Sequence, residues 1–125
     1  MIKIIISNTM GIPIYEQIKQ QIKEAILSGD LKENEMLPSL RILAKDLKVS
    51  VLTVVRAYTE LEQEGFVKNV QGKGCYVLGY GSELIREQLI CHIEKHLDEA
   101  IQYAKQLNMP KEDLHNLLNL LMEGE

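Results

Sequence analysis

The spacing of apolar positions changes several times along the chain, and each change marks an element. Ile4, Ile5 and Ile6, within Lys3 to Ser7, form a short β-branched run that predicts a strand. From Pro13 the period becomes helical. Ile14, Ile18, Ile22, Ala25 and Ile26 fall on one face, and Glu16, Gln17, Lys19, Gln20, Lys23 and Glu24 fill the other. Proline suits the first helical position, where its missing N–H would be unpaired anyway. Ser28-Gly29-Asp30 ends the helix, with Gly29 suited to a left-handed cap. A loop runs from Leu31 to Pro38, and Leu37 belongs to it because a residue before proline avoids the helical region. Ser39 then caps a helix of about two turns whose stripe is Leu40, Leu43, Ala44 and Leu47. Lys48-Val49 is a tight turn. Ser50 caps the next helix, which runs to about Glu64 with Val54, Ala57, Tyr58 and Leu61 inward and Gly65 at its end.

Two short strands follow, Phe66 to Val70 and Cys75 to Leu78, around a glycine-rich tip, Gln71-Gly72-Lys73-Gly74. Gly79-Tyr80-Gly81 is a flexible joint. It divides the chain into residues 1–79 and 80–125. Ser82 caps a long helix to about Asn108, with Ile90, Ile93, Leu97, Ala100, Ile101, Ala104 and Leu107 at near-heptad spacing. Pro110 opens a last helix with Leu114, Leu117, Leu118 and Leu121 on one face. The expected fold is mainly α with a small β-wing.

The length of 125 residues allows one ordinary domain, or a small domain with an appendage. Two cysteines, Cys75 and Cys91, are too few for a disulfide scaffold and read as buried thiols in a reducing compartment. No apolar run reaches the ~18–20 residues of a membrane span. The opening MIKIIIS is too short for a signal peptide, so a cytoplasmic location is expected.

Charge is divided unevenly. The net charge of −4 disfavours nucleic acid at first sight. Yet residues 1–79 hold ten Lys and Arg against nine Asp and Glu, while residues 80–125 hold four against nine. The acidity belongs to the tail, and a basic surface is free to form before it.

A capped helix, a tight turn, a second capped helix and a hairpin match a winged helix-turn-helix, whose second helix enters the DNA major groove. With a 100° step per residue, the side of that helix opposite its buried stripe carries Leu52, Arg56 and Thr59, flanked by Thr53 and Val55. No acid occurs from Ser50 to Thr59. Arg41, Lys45, Lys48, Lys68 and Lys73 surround it, with Asp46 the sole acid at the helix-turn positions. This is a cationic patch within an acidic protein.

Leu37-Pro38-Ser39-Leu40-Arg41-Ile42-Leu43-Ala44, then Val49-Ser50, Thr53-Val54, Arg56-Ala57-Tyr58, Leu61-Glu62, Glu64-Gly65-Phe66-Val67 and Gly72-Lys73-Gly74, in this order, resemble a GntR-family winged helix-turn-helix over about residues 12–78. The short two-helix tail resembles the YtrA subfamily. The resemblance implies a dimeric transcription regulator, expected to be a repressor, on a palindromic operator. It implies DNA contacts by Arg41 after the Pro-Ser pair, by Ser50 and Thr53 at the second helix, and by the Gly72 and Gly74 wing tip at the minor groove. Val51 and Val55 depart from the family, where arginine and polar or basic residues are common, and Leu52 is apolar too. Apolar side chains read thymine methyl groups. The expected DNA surface is therefore Ser39, Arg41, Lys48, Ser50, Val51, Leu52, Thr53, Val55, Arg56, Lys68, Gln71, Gly72, Lys73 and Gly74.

Other chemistry is weaker. Gly72-Lys73-Gly74 is no phosphate-binding P-loop, since Val67 stands at its first glycine and Gly74 at its Ser/Thr. His92, His96 and Glu99 share a helical spacing, but structural zinc wants four ligands, and a polar flank is the better reading. Cys91 and His92, sequence neighbours about 100° apart on a helix, make a poor nucleophile–base pair. No enzyme, metal or cofactor is expected.

A tail of about 45 residues is too small to bury a core alone. A second copy solves this, so Ile90, Ile93, Leu97, Ile101, Ala104, Leu114, Leu118 and Leu121 are expected to form a dimerisation seam. The tail is also small for an effector pocket. The expectation is a homodimeric repressor, with an effector left open. The rival is a protein-interaction module on the same scaffold that binds no DNA.

Overall fold

In a computed structural model, residues 3–8, 11–79 and 82–124 are described. The elements are α1 (Ile14–Ser28), α2 (Leu40–Leu47), α3 (Val51–Gln63), β1 (Val67–Val70), β2 (Gly74–Val77), α4 (Glu83–Gln106) and α5 (Lys111–Glu123). The mainly helical fold with a small β-wing is as the periodicity predicts. The chain divides into two compact units, Met1–Leu89 and Ile90–Glu125.

In the first unit, Ile18, Ile22 and Ile26 of α1 meet Leu43 and Ala44 of α2 and Val54, Ala57, Tyr58 and Leu61 of α3. Phe66, Val67, Cys75 and Val77 bring the wing onto this core. Gly29 ends α1 in the left-handed conformation, and Ser39 and Ser50 accept hydrogen bonds from the N–H groups of Ile42 and Thr53, as their cap chemistry demands. The wing is a two-stranded antiparallel hairpin with Val67 opposite Val77 and Val70 opposite Gly74. The loop before α2 clips to its outer strand. Leu37 N–H donates to Cys75 O at 2.8 Å, and Val77 N–H donates to Glu35 O at 2.9 Å. That pairing ties the wing to the start of α2.

Four expectations need correction. Lys3 to Ser7 is extended but forms no strand. The side-chain amide of Gln21 donates to Ile5 O and accepts from Ile5 N–H, and that of Gln17 does the same for Ser7. No neighbouring strand is available among the described residues, so two glutamines one turn apart supply the ladder. Gln17 and Lys19, assigned to the solvent face of α1, are buried. Gln17 is covered by the amino-terminal segment, and Lys19 is drawn inward by the carboxylates of Glu60 in α3 and Glu64 at its C-cap. Cys91 is exposed, since it lies off the apolar seam, whereas Cys75 is buried on the wing. Burial pushes the Cys75 thiol up to about 11, so it is a poor nucleophile.

The joint expected at residues 79–81 falls partly on Tyr80 and Gly81, outside the described residues. The first compact unit extends to Leu89 because Ile85 of α4 is fully buried in its core and Leu89 packs on it. Ser82 Oγ accepts from Ile85 N–H at the start of that helix. Gly65 stands with positive φ where a Cβ would collide with Leu84 Cδ1, which makes glycine necessary there.

In the second unit, a turn joins the rest of α4 to α5, which buries none of its described residues. Asn108 adopts the left-handed conformation, and Met109 N–H donates to Ala104 O, closing α4. Ala104, at 8% exposure, is the buried residue among those described here, and Leu114 is half-buried. Ile90, Ile93, Leu97 and Ile101 are 40–57% exposed, and Leu118 and Leu121 are exposed as well. The single chain leaves these apolar side chains open to water.

Candidate nucleic-acid interface

The interface is built on the turn between α2 and α3. Lys48 takes the left-handed conformation and Val49 N–H returns to Ala44 O, so Lys48, Val49 and Ser50 turn the chain between the helices. Tyr58 O–H donates to Pro38 O at 2.8 Å and joins α3 to the loop that carries Ser39. Burial holds the Tyr58 phenol well above its usual range, so it remains a donor.

The start of α3 stands out from the molecule. Leu52 is 79% exposed, Val51 is exposed, and Thr53 and Val55 are half-buried. The helix has two unlike flanks. One faces a groove of about 610 Å³ whose walls include Ser39, Arg41, Val51, Val55, Lys73 and Gly74. The other faces a shallower hollow of about 370 Å³ lined by Ile14, Tyr15, Leu52, Thr53 and Arg56. The expected DNA surface is thus split. Six of its members share the groove between α2, α3 and the wing, and three lie on the α1 side. Lys48, Ser50, Lys68, Gln71 and Gly72 line neither, although all five are exposed. Gly72 and Gly74 have positive φ at the wing tip. A Cβ on Gly72 would meet open space, while one on Gly74 would press on Met36 Sδ at 3.0 Å.

Charges are sorted along α3. Its first two turns hold no acid. Arg41, Lys45, Lys48, Lys68 and Lys73 are exposed, and none forms an ion pair among the described residues. The acids of the far end are engaged. Glu62 accepts from Asn69 N–H on β1 at 2.8 Å. Glu60 and Glu64 accept from Lys19 at 3.0 and 2.8 Å, and Glu64 also from Lys23 at 2.7 Å. The hydrogen bond to Lys19 holds the Glu60 carboxyl below the usual range, with Arg56 adding to it. Burial pushes Glu64 up, but its bonds to Lys19 and Lys23 outweigh this and hold it low. The bond to Glu64, against the cost of burial, holds the Lys19 ammonium above its ordinary range. Cations face outward at the start of α3, and carboxylates are neutralised from within at its end.

Arg56 sits where these two regions meet. Its guanidinium lies over the Tyr15 ring at 3.7 Å to the centroid, and its Nε donates to Glu60 at 3.2 Å. Tyr15 is the residue that sequence reasoning missed. The signal available was an aromatic ring at the second position of α1, beside its apolar stripe; its partner lies 41 residues away. In the tail, His96 Nδ1 lies 3.8 Å from Glu99, and the His92 and His96 rings stack at 6.4 Å. No set of three such groups is arranged to hold a metal among the described residues. No helix there is long and apolar enough to cross a membrane.

Comparison with known proteins agrees with this geometry. The model of the family "Bacterial regulatory proteins, gntR family" matches residues 14–77. The "HTH-type transcriptional repressor YtrA" of Bacillus subtilis is 38% identical over 103 residues, which is 82% of this chain and 79% of the relative. YtrA from Sulfolobus acidocaldarius, described as a GntR-family transcription factor, is similar in structure, with a TM-score of 0.59 and 42% identity over 76% of this chain and 97% of that one. The DNA-binding domain of AraR, solved with an operator, superposes with a TM-score of 0.54 at 26% identity over 60% of this chain and 94% of that one. From the helix-turn-helix, the wing and these likenesses together, the chain belongs to the GntR family of bacterial regulatory proteins, a family of transcriptional regulators rather than enzymes.

Proposed function

We propose that this chain is a cytoplasmic transcriptional repressor that binds a palindromic operator as a homodimer. The observation that carries the reading is the exposed, acid-free start of α3 beside a groove edged by Arg41 and Lys73. A projecting helix start between unpaired cations suits a major groove between phosphates. Repression is the activity named for the Bacillus subtilis relative, and the similar AraR domain is held on an operator in its complex.

In this reading α3 reads bases through Val51, Leu52, Thr53 and Val55. Arg41 grips a phosphate or a guanine. The Gln71-to-Gly74 wing approaches the minor groove, and Lys48 and Lys68 add charge at the rim. The homodimer is supported by the open face of Ile90, Ile93, Leu97 and Ile101. A contiguous apolar surface of this kind marks an interaction site. A second copy covers it with the same face and presents two recognition helices to two half-sites.

The test is selection of bound sequences from a random duplex pool, then affinity for the selected site across a salt series. Log affinity should fall linearly with log salt, and the selected site should be an inverted repeat. Absence of binding to any duplex would favour an interaction module on the same scaffold.

A further inference from the structure

We propose that Tyr15 and Arg56 form a DNA phosphate-binding subsite on the α1 flank of the recognition helix, with Tyr15 as the positioning residue that holds Arg56 in place. This rests on the DNA-binding reading and adds a second side to it. A helix lying in the major groove has a phosphate backbone along each flank. One flank of α3 already has Arg41 and Lys73 in the groove beside it. On the opposite flank the lining is Ile14, Tyr15, Leu52, Thr53 and Arg56, of which Arg56 alone carries positive charge. The nearby Lys19 and Lys23 are bound to Glu60 and Glu64. Arg56 is therefore the group able to neutralise a phosphate there.

Its geometry selects phosphate over a base. The side chain bends from α3 toward α1, where its guanidinium lies 3.7 Å from the Tyr15 ring centroid. That places it on the α1 flank, in the hollow beside Leu52 and Thr53 rather than in the groove edged by Arg41 and Lys73. Only Nε is used in the hydrogen bonds of the structure, in its 3.2 Å bond to Glu60, so the terminal nitrogens keep their donors for an anion. Side-chain order at arginine is costly, and an aromatic platform supplies it in advance. Glu60 does not have to be left bare when Arg56 turns to phosphate, because Lys19 also binds it, at 3.0 Å.

The experiment measures affinity of the full chain for its selected operator and for an unrelated duplex, across salt, in wild type, Arg56→Ala, Tyr15→Phe, Tyr15→Leu and Tyr15→Leu/Arg56→Ala. Thermal melting of each variant identifies those that fold. Arg56→Ala should weaken both duplexes by the same factor and lower the log–log salt slope by about 0.9, the value of one phosphate. Tyr15→Phe keeps the platform and should bind like wild type. Tyr15→Leu should weaken both duplexes, and should have no further effect once Arg56 is alanine. An Arg56→Ala loss confined to the operator, with an unchanged slope, overturns the phosphate assignment in favour of base reading. An equal Tyr15→Leu loss in both backgrounds overturns its action through Arg56. If Tyr15→Leu fails to fold, Tyr15→His, with a smaller ring, takes its place in the same cycle. Wild type that binds no duplex defeats the DNA reading itself. Wild type that binds normally, with Arg56→Ala indistinguishable from it, defeats only this subsite.

Discussion

Lys19 of α1 donates to both Glu60 of α3 and Glu64 at its C-cap, at 3.0 and 2.8 Å, while only 8% of its surface reaches solvent. The pair of contacts fastens the helix that carries the proposed DNA-contacting residues to the helix that carries Tyr15. Glu16 lies 3.6 Å from the same ammonium, so removing it would leave three carboxylates facing one another.

Lys19→Met keeps the aliphatic stem and removes the charge. It should lower unfolding free energy by about 1–2 kcal/mol near neutral pH, the range of hydrogen bonds to charged groups discounted for the partly exposed carboxylates. The pH dependence has a definite sign. Glu60 and Glu64 are held below their ordinary value of 4.5, so their contribution is present above that value and lost as pH falls through their lowered values. Lys19 is held above its ordinary 10.5, so its contribution is present below that value and lost as pH rises through its raised one. Urea unfolding across pH checks this. The difference between wild type and variant should be widest between those limits and shrink in acid; a constant difference would mean that packing alone is at work.

Arg41 on α2 and Lys73 at the wing tip line the same groove, and their substitutions should differ. Lys73→Ala should weaken all duplexes alike and lower the salt slope by about 0.9. Arg41→Ala should cost more, and if it meets a guanine about 1–3 kcal/mol of the loss will be selective for the operator. Salt-dependent titrations of operator and unrelated duplex read both. Wild-type affinity in both variants would exclude this docking.

Leu52 is the most exposed side chain at the start of α3, and nothing in the fold explains an aliphatic there. Packing on a thymine methyl does. Exchanging operator thymines for uracil one at a time should weaken wild-type binding at one position at least, and Leu52→Ala should abolish that sensitivity. If no exchange matters, sequence choice comes from Arg41, polar contacts or DNA shape.

Ile93→Asp and Leu97→Asp test the tail. Both positions are exposed in the single chain, so the carboxylates are tolerated by a monomer but buried unpaired in a dimer. Light scattering should show monomer, and binding to the inverted repeat should collapse while the winged unit stays folded. A DNA-binding dimer carrying both changes would refute the seam.

How much of this is legible in the chain follows from the range of each interaction. The caps at Ser39 and Ser50 and the left-handed Gly29 are local chemistry, and all three stand where the residues predict. The helical stripes are legible for the same reason. Lys3 to Ser7 misleads because a β-branched run reports extended backbone and says nothing of what pairs with it; the pairing groups are side chains of α1. The polar periodicity around Lys19 points it outward, and only tertiary structure brings Glu60 and Glu64 to it. In the site, Arg41 and Lys73 are identifiable singly, but their common groove is a product of the wing folding back. The Tyr15 platform is invisible in the sequence, since no local pattern joins it to Arg56.

The two glutamines that hold the amino-terminal segment have a consequence for how that segment leaves. A ladder made by side chains belongs to no sheet, so it opens without breaking a backbone hydrogen bond of α1 or the wing, although Ile4 and Ile6 must leave the core they pack on. The amides of Ile5 and Ser7 should therefore exchange their hydrogens with solvent long before those of α1, and a protease should clip this segment while the rest stays intact. Gln17, at 6% exposure, would keep its bond to Ile12 O and exchange its other partners for water.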